Sequence, residues 1–224
     1  IIQLGEQPNR VFNVGGLGID NINKLKLLAK SDFEKDIDFE LGEKNILVTF
    51  HPVTLENFSA KLQFQELLNF IDGLKNTRII FTKANSDTGG RIINSMIDAY
   101  VSKHDNTVAF ISMGQLNYLS ALQFMNAVVG NSSSGLLEVP SFNIATIDIG
   151  DRQKGRIKAD SVINCLPTQE SIGSAFYKSC SEDFKNIVDN TKNPYGNGGA
   201  SKIVVDIIKD FDLNGILKKT FYDL

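Results

Sequence analysis

The sequence predicts an α/β fold, a parallel sheet covered by helices on both faces. Three observations predict it. Short apolar or β-branched runs recur at residues 45–50, 78–82, 107–111, 128–130, 143–149 and 161–165. Between several of them lie segments with apolar residues at helical spacing, as in 58–74 and 92–101. Each run is followed by small or polar residues rather than by a hairpin turn. Strands that alternate with helices in this rhythm form βαβ units. Right-handed crossovers then gather the strand C-termini on one sheet edge. The expected architecture is Rossmann-like.

Taken in order, residues 1–9 are polar-ended, and Glu6-Gln7-Pro8 reads as a helix end or linker. Residues 10–14 are a strand candidate. Gly15-Gly16-Leu17-Gly18 then leads into a helix carrying Ile22, Leu25, Leu27 and Leu28. This glycine run does not fit GxGxxG, and its glycines serve a tight strand-to-helix turn. Residues 31–43 are charged, a surface connection with a short helix. The helix over 58–74 should bury Leu62, Leu67, Leu68 and Ile71, and that over 92–101 Ile93, Met96, Ile97 and Tyr100. A further helix is expected over 116–124. After Gly150 come a basic loop (151–156), the last short strand and three helices over 169–180, 182–190 and 201–211. The loop Asn193-Pro194-Tyr195-Gly196-Asn197-Gly198-Gly199 separates the last two.

Composition excludes several classes. The net charge of -3 and the absence of a basic cluster give no electrostatic reason to expect nucleic acid. No apolar run is long enough to cross a bilayer, so no membrane partner is expected. Cys165 and Cys180 have neither CxxC spacing nor nearby histidines, so no metal and no disulfide framework is expected. Reduced, buried or half-buried thiols in a cytoplasmic protein are the expectation. The chain begins at Ile1 rather than at methionine, which suggests a piece of something longer.

The chemistry concentrates in Gly130-Asn131-Ser132-Ser133-Ser134-Gly135-Leu136-Leu137-Glu138-Val139-Pro140. A strand, a small-residue turn and a helix in succession expose N–H groups that suit a phosphate. The serine hydroxyls add donors, and Glu138 lies where it could reach ribose hydroxyls. The same pattern also fits an ordinary serine N-cap with an acid in the first turn. In open α/β sheets ligands bind outside the strand C-termini. That edge rule gathers His51, Asn85, Ser112-Met113-Gly114, the serine turn and the 150–156 loop. His51 could instead be a satisfied turn imidazole, and Asn85 or Asp87 a helix cap. Arg152, Lys154 and Arg156 could be a solvated loop; Arg152, nearest the strand end, is the choice for a phosphate partner. His104 reads as a solvated helix end. No second carboxylate is placed to pair with Glu138 for acid/base work.

Together, Asn13-Val14-Gly15-Gly16, Phe50-His51-Pro52-Val53-Thr54, the 130–139 turn and Gly150-Asp151-Arg152-Gln153-Lys154-Gly155-Arg156 resemble the hydrolysing UDP-N-acetylglucosamine 2-epimerases of bacterial sialic- and legionaminic-acid synthesis. The resemblance implies the C-terminal half of a GT-B fold. Residues 1–9 would be an interdomain end, 10–165 the nucleotide-binding core and 166–224 the C-terminal helices, with an N-terminal domain absent from this chain. It implies that Ser132 and Ser133 bind the UDP diphosphate and that Glu138 holds the ribose. The backbone near Met113 would read uracil. His51, Asn85 and Arg152 would line the diphosphate and sugar side, with His51 also in the chemistry. That chemistry would be elimination of UDP to a 2-acetamidoglucal, then hydration to N-acetylmannosamine, with no cofactor. The proton-moving acids would lie in the absent domain, so the chain alone is expected to bind UDP without turnover. The exposed cleft face makes a homo-oligomer the expected state.

Two other readings use the same residues. One is a GT-B glycosyltransferase half, separable by a transferase assay with an acceptor sugar. The other is a non-catalytic interaction module, which predicts no nucleotide binding. The sugar could equally be a UDP-diacetamido-trideoxyglucose.

Overall fold

The computed structural model describes residues 1–53, 60–85 and 89–223. Thr54 and Asp87, named above, lie outside the described residues, as does the start of the helix expected over 58–74. The elements run α1 (Leu17–Lys24), α2 (Lys30–Ile37), β1 (Lys44–Thr49), α3 (Ala60–Asp72), β2 (Thr77–Thr82), α4 (Gly90–Val101), β3 (Thr107–Phe110) and α5 (Gly114–Leu122). They continue with β4 (Ala127–Gly130), α6 (Ser134–Leu137), β5 (Ala145–Ile149), β6 (Val162–Cys165), α7 (Gln169–Ser179), α8 (Glu182–Asp189) and α9 (Ala200–Asp210). The chain divides into two compact units, Leu25–Pro194 and a second built from Ile1–Lys24 with Tyr195–Leu224.

The larger unit holds a six-stranded, all-parallel sheet in the order β3-β2-β1-β4-β5-β6. This is the Rossmann order, and the Rossmann-like expectation holds. Chemistry and position agree along it. The central β1 is buried at every residue after Lys44, whereas the edge strand β6 has no fully buried residue. A parallel strand covered on both faces must be apolar on both. Ile46 and Val48 on β1, Ile79 and Phe81 on β2, Val129 on β4 and Ile147 on β5 face one layer with α3, α4 and α7. On the opposite face α6 packs against Thr146, whose hydroxyl donates to the Gly135 carbonyl at 2.9 Å. The chain crosses back between β3 and β4, and that reversal puts the switch point between β1 and β4.

α3 buries Phe64, Leu67, Leu68 and Ile71, an i, i+3, i+4, i+7 stripe, each side chain contributing about 1.5–3 kcal/mol. Leu62, expected in that stripe, is 58% exposed, and Phe64 takes its place. α4 buries Ile93 and Ile97 with Met96 and Tyr100 partly covered, as expected. His104, rather than being simply solvated, stacks on Tyr100 with ring centroids 4.0 Å apart. Cys165 is half-buried, and burial pushes its thiol up to about 12. Cys180 is exposed, against the expectation of covered thiols. No described helix is long and apolar enough to cross a membrane.

The smaller unit corrects the reading of the N-terminus. Residues 10–14 form no strand: Pro8–Arg10 is a 3-10 turn and the backbone to Gly16 is irregular. A strand needs a partner edge, and this segment is held instead by a ring contact and by one backbone bond just beyond it. Phe12 packs edge-on against Phe211, and the Gly16 N–H donates to the Tyr195 carbonyl at 2.7 Å. α1 ends at Lys24, so Leu25, Leu27 and Leu28 lie beyond it. Its buried acid, Asp20, accepts from the N–H groups of Gly199 (2.6 Å), Ala200 (3.1 Å) and Ser201 (2.8 Å) and from the Ser201 hydroxyl. A carboxylate from one helix thus caps the N-terminus of α9. The Ser201 hydroxyl first, then these backbone donors, hold the Asp20 carboxyl down at about 2, from 3.8. A group with a depressed folded pKa stabilises fully above its unfolded value and loses that contribution as pH falls through the folded one. The stability gap between the wild type and Asp20→Asn is therefore expected to be constant above pH 4 and to shrink as pH falls from about 3.8 towards about 2. Urea titrations of both proteins at several pH values check this, and a gap unchanged at pH 2 would sink it.

Candidate functional site at the carboxyl edge of the sheet

Two loops meet at the switch point. Beyond β1 the chain reaches His51, and beyond β4 it reaches Asn131. The two are locked together: the His51 N–H donates to Asn131 Oδ1 at 2.7 Å, and Asn131 Nδ2 donates to the His51 carbonyl at 2.8 Å. Both residues are buried. The Asn131 carbonyl then accepts from Arg152 Nη1 (3.0 Å) and Gln153 Nε2 (2.8 Å), anchoring the 150–156 loop to the same point. On the other side the Asn85 N–H points to His51 Nδ1 at 3.4 Å, a long hydrogen bond. Acceptance at Nδ1 puts the proton of a neutral ring on Nε2. Asn85 is itself held from behind. The Asn94 side chain, from α4, bonds both the N–H (2.8 Å) and the carbonyl (3.2 Å) of Ala84. Gly90 permits this turn, because a Cβ there would lie 2.2 Å from the Asn85 carbonyl oxygen.

Three of the sequence-derived residues, Asn85, His51 and Arg152, are thereby brought together along one edge with the serine turn that follows Asn131. Of the three basic residues in the 150–156 loop, Arg152 is tied to the turn. Lys154 pairs with Asp151 at 3.2 Å, and Arg156 is exposed. A cavity of about 380 Å³ adjoins this loop, lined by Gly150, Asp151, Lys154, Lys158 and Asn164 among others. Within it Lys158 pairs with the buried Asp148 at 2.8 Å. A second cavity of about 770 Å³ opens at the opposite, amino edge of the sheet beside Lys44, Thr77 and Phe176, away from all of these residues.

The serine turn departs from the expected strand-turn-long-helix. α6 is a single turn, Ser134–Leu137, followed at once by a 3-10 turn, Val139–Phe142, with Pro140 inside it. Pro140 cannot donate to a continuing α-helix, which explains the break. The anion-binding potential therefore rests on the local N–H groups and hydroxyls more than on a helix dipole. Ser132 Oγ accepts weakly from the Ser134 N–H at 3.4 Å, and the Ser133 side chain makes no capping bond among the described residues. The N-cap alternative is therefore not the role of Ser133. Ser134 turns inward to the Tyr118 hydroxyl of α5 at 2.5 Å. The same hydroxyl lies close enough to Glu138 to favour the charged form of its carboxyl.

Glu138 lies at the junction of the two short helices. Burial is the main effect on its carboxyl and raises its pKa, partly offset by the Ser134 hydroxyl. Its Oε2 is buried with no hydrogen-bond partner among the described residues. Such an atom is costly unless something bonds to it. Burial also raises the Tyr118 hydroxyl well above its ordinary pKa, so it stays a neutral donor. Met113 is buried at the N-terminus of α5, and Gly114 N–H bonds the Ser112 hydroxyl at 3.2 Å. Met113 follows the outer strand β3, yet α5 brings it back towards the turn. Tyr118, which touches Ser134, is five residues along the helix, about 7.5 Å of rise.

Sequence reasoning missed Asn131 as a hub, Gln153 as its buried partner, and Tyr118. Asn131 and Gln153 sit inside quoted motifs, where a polar residue between serines or in a basic loop reads as solvated. Nothing local marks Tyr118, because its partner is 16 residues away.

Comparison with known proteins agrees with this architecture. The family described as UDP-N-acetylglucosamine 2-epimerase matches residues 1–209. The chain is 39% identical, over its full length and 58% of the relative's, to a GDP/UDP-N,N'-diacetylbacillosamine 2-epimerase (hydrolyzing) of Campylobacter jejuni. It is 40% identical, again over its full length and 57% of the relative's, to polysialic acid biosynthesis protein P7 of Escherichia coli. The chain thus spans less than two thirds of these relatives. In fold it is similar to UDP-GlcNAc 2-epimerase of Neisseria meningitidis, solved bound to UDP-GlcNAc. The TM-score is 0.77 at 20% identity, over 94% of this chain and 58% of that one. The sheet is accordingly that of a GT-B-type domain, and the chain belongs to the UDP-N-acetylglucosamine 2-epimerase family.

Proposed function

We propose that this chain is the UDP-binding part of a hydrolysing 2-epimerase that converts UDP-N-acetylglucosamine to N-acetylmannosamine and UDP. The observation that carries the reading is the half-buried Glu138, one of whose carboxylate oxygens has no hydrogen-bond partner among the described residues, beside the serine turn at the sheet's switch point. Ribose hydroxyls are donors of the right kind for that oxygen. Ser132, Ser133 and Arg152 then meet the diphosphate, the backbone at Met113 meets uracil, and Asn85 and His51 face the diphosphate and sugar. In the reaction a base removes the proton at sugar C2 while the C1–O bond breaks and UDP leaves with the bonding pair. Water then adds to C1 of the resulting glycal and a proton to C2 from the opposite side. The residues of this edge stabilise the departing negative charge. The groups that move the C2 proton belong to a further domain, so this chain alone binds UDP without turnover. The domain boundaries at 9 and 165, a cytoplasmic setting and a homo-oligomeric state belong to the same proposal.

A second reading is favoured by the name of the Campylobacter relative, whose sugar is a diacetamido compound. In it the same edge binds a UDP-diacetamido-trideoxyglucose. Both readings share the UDP site. Calorimetric titration with UDP, beside a Ser132→Ala, Ser133→Ala double variant, tests it. Saturable binding weakened at least about tenfold in the variant is expected, the scale of two lost hydrogen bonds to a charged group. Binding unaffected by the variant, or no binding by the wild type, would overturn the assignment.

A further inference from the structure

The loop that begins Asn193-Pro194 has no part in the site described so far, yet one of its side chains brackets Glu138. Asn193 Nδ2 donates to the Leu137 carbonyl at 2.8 Å and to Ser141 Oγ at 2.7 Å. Leu137 immediately precedes Glu138. Ser141 closes the turn that follows it, with its N–H donating to the Glu138 carbonyl at 3.0 Å. One side-chain amide, reaching across 56 and 52 residues, thus ties the Leu137 backbone on one side of the carboxylate to the Ser141 hydroxyl on the other. Pro194 adds rigidity, since the residue before a proline is confined to extended backbone.

This brace matters because of where α6 stops. A carboxylate in the middle of a long helix is oriented by the helix. Glu138 instead stands at the break between a single α-turn and a 3-10 turn, its N–H on the Ser134 carbonyl and its carbonyl on the Ser141 N–H, with no continuous helix running through it. The Ser134 hydroxyl beside it favours the charged form of the carboxyl. Asn193 steadies the peptide that carries it from outside.

We infer that Asn193 is a positioning residue for Glu138 and, through it, sets recognition of the ribose hydroxyls of a bound nucleoside diphosphate. The inference rests on the UDP-site reading above. It acts on one part of the ligand only, which separates it from a general contribution to folding.

The experiment compares binding of UDP with its 2′,3′-dideoxy analogue to the wild-type chain, Asn193→Ala and Glu138→Gln. The wild type should prefer UDP by about tenfold or more, the scale of hydrogen bonds to a charged group, and Glu138→Gln should abolish most of that preference. Asn193→Ala should lose the preference likewise, while its affinity for the dideoxy analogue changes by less than about twofold, below one hydrogen bond's worth. If the wild type shows no preference, or Glu138→Gln keeps it, the ribose role of Glu138 falls and the inference with it. If those two behave as expected but Asn193→Ala retains the preference, or weakens both ligands equally, the brace is structural only and the inference is wrong while the site stands.

Discussion

Gly130→Ala is expected to abolish the native fold of the larger unit. Gly130 ends β4 with φ at 143°, a conformation that L side chains rarely adopt, and it pairs directly with Thr49 of β1. A Cβ built there lies 1.9 Å from the Thr49 carbonyl oxygen and 2.7 Å from its carbonyl carbon. Both are backbone atoms at the centre of the sheet, so no side chain can swing aside to make room. The strands would have to part at the switch point, breaking the Asn131 N–H bond to the Thr49 carbonyl (3.1 Å) as well. The expected loss is more than about 4 kcal/mol, among the largest for a single substitution and a large share of a typical domain's stability. Circular dichroism and urea titration of the variant check it. A well-folded Gly130→Ala protein with a midpoint near that of the wild type would show that the two strands can separate cheaply.

Asn131→Ala comes second. Its side chain is 1% exposed and supplies both partners of the His51 backbone, at 2.7 and 2.8 Å. Truncation removes both of these buried hydrogen bonds, at about 1–3 kcal/mol for a buried group that loses its partner, so about 3 kcal/mol in total is expected. The urea midpoint should drop with the slope unchanged, since the surface exposed on unfolding is nearly the same. A loss below about 1 kcal/mol would mean that water takes over both bonds. UDP binding should weaken beyond what unfolding explains, because the same amide holds the His51 loop against the serine turn. The aspartate variant separates the two bonds. It keeps the acceptor for the His51 N–H but sets a carboxylate oxygen against the His51 carbonyl in place of the donor, and should be no more stable than alanine at neutral pH.

Much of this molecule was legible before any coordinates. Six parallel strands are legible because a strand covered on both faces has to be apolar on both, and runs such as Ile46-Leu47-Val48 or Ile79-Ile80-Phe81 admit few other readings. The location of the candidate site is legible for a related reason. Right-handed crossovers leave no choice about which sheet edge collects the strand ends, so His51, Asn85, the serine turn and Arg152 could be grouped from their places after strands alone.

The failures share a cause too. Residues 10–14 carry a strand-like pattern, but a strand exists only where an edge is free to pair. The edges of this sheet are β3 and β6, while Phe12 is taken up by Phe211 nearly two hundred residues later. Helical periodicity likewise could not say that α6 would stop after one turn, nor which face of α3 would choose Phe64 over Leu62.

The sequence alone determined the composition of the layers and the edge at which polar residues converge, because both follow from local periodicity and chain handedness. Only the tertiary structure decided that Asn131 joins the two central loops, that Tyr118 bonds Ser134, and that Asn193 braces the turn carrying Glu138. Those are hydrogen bonds between single polar groups far apart in the chain. A donor and acceptor separated by 16, 56 or 80 residues leave no repeat in the sequence, and only the packing of the sheet brings them within 3 Å.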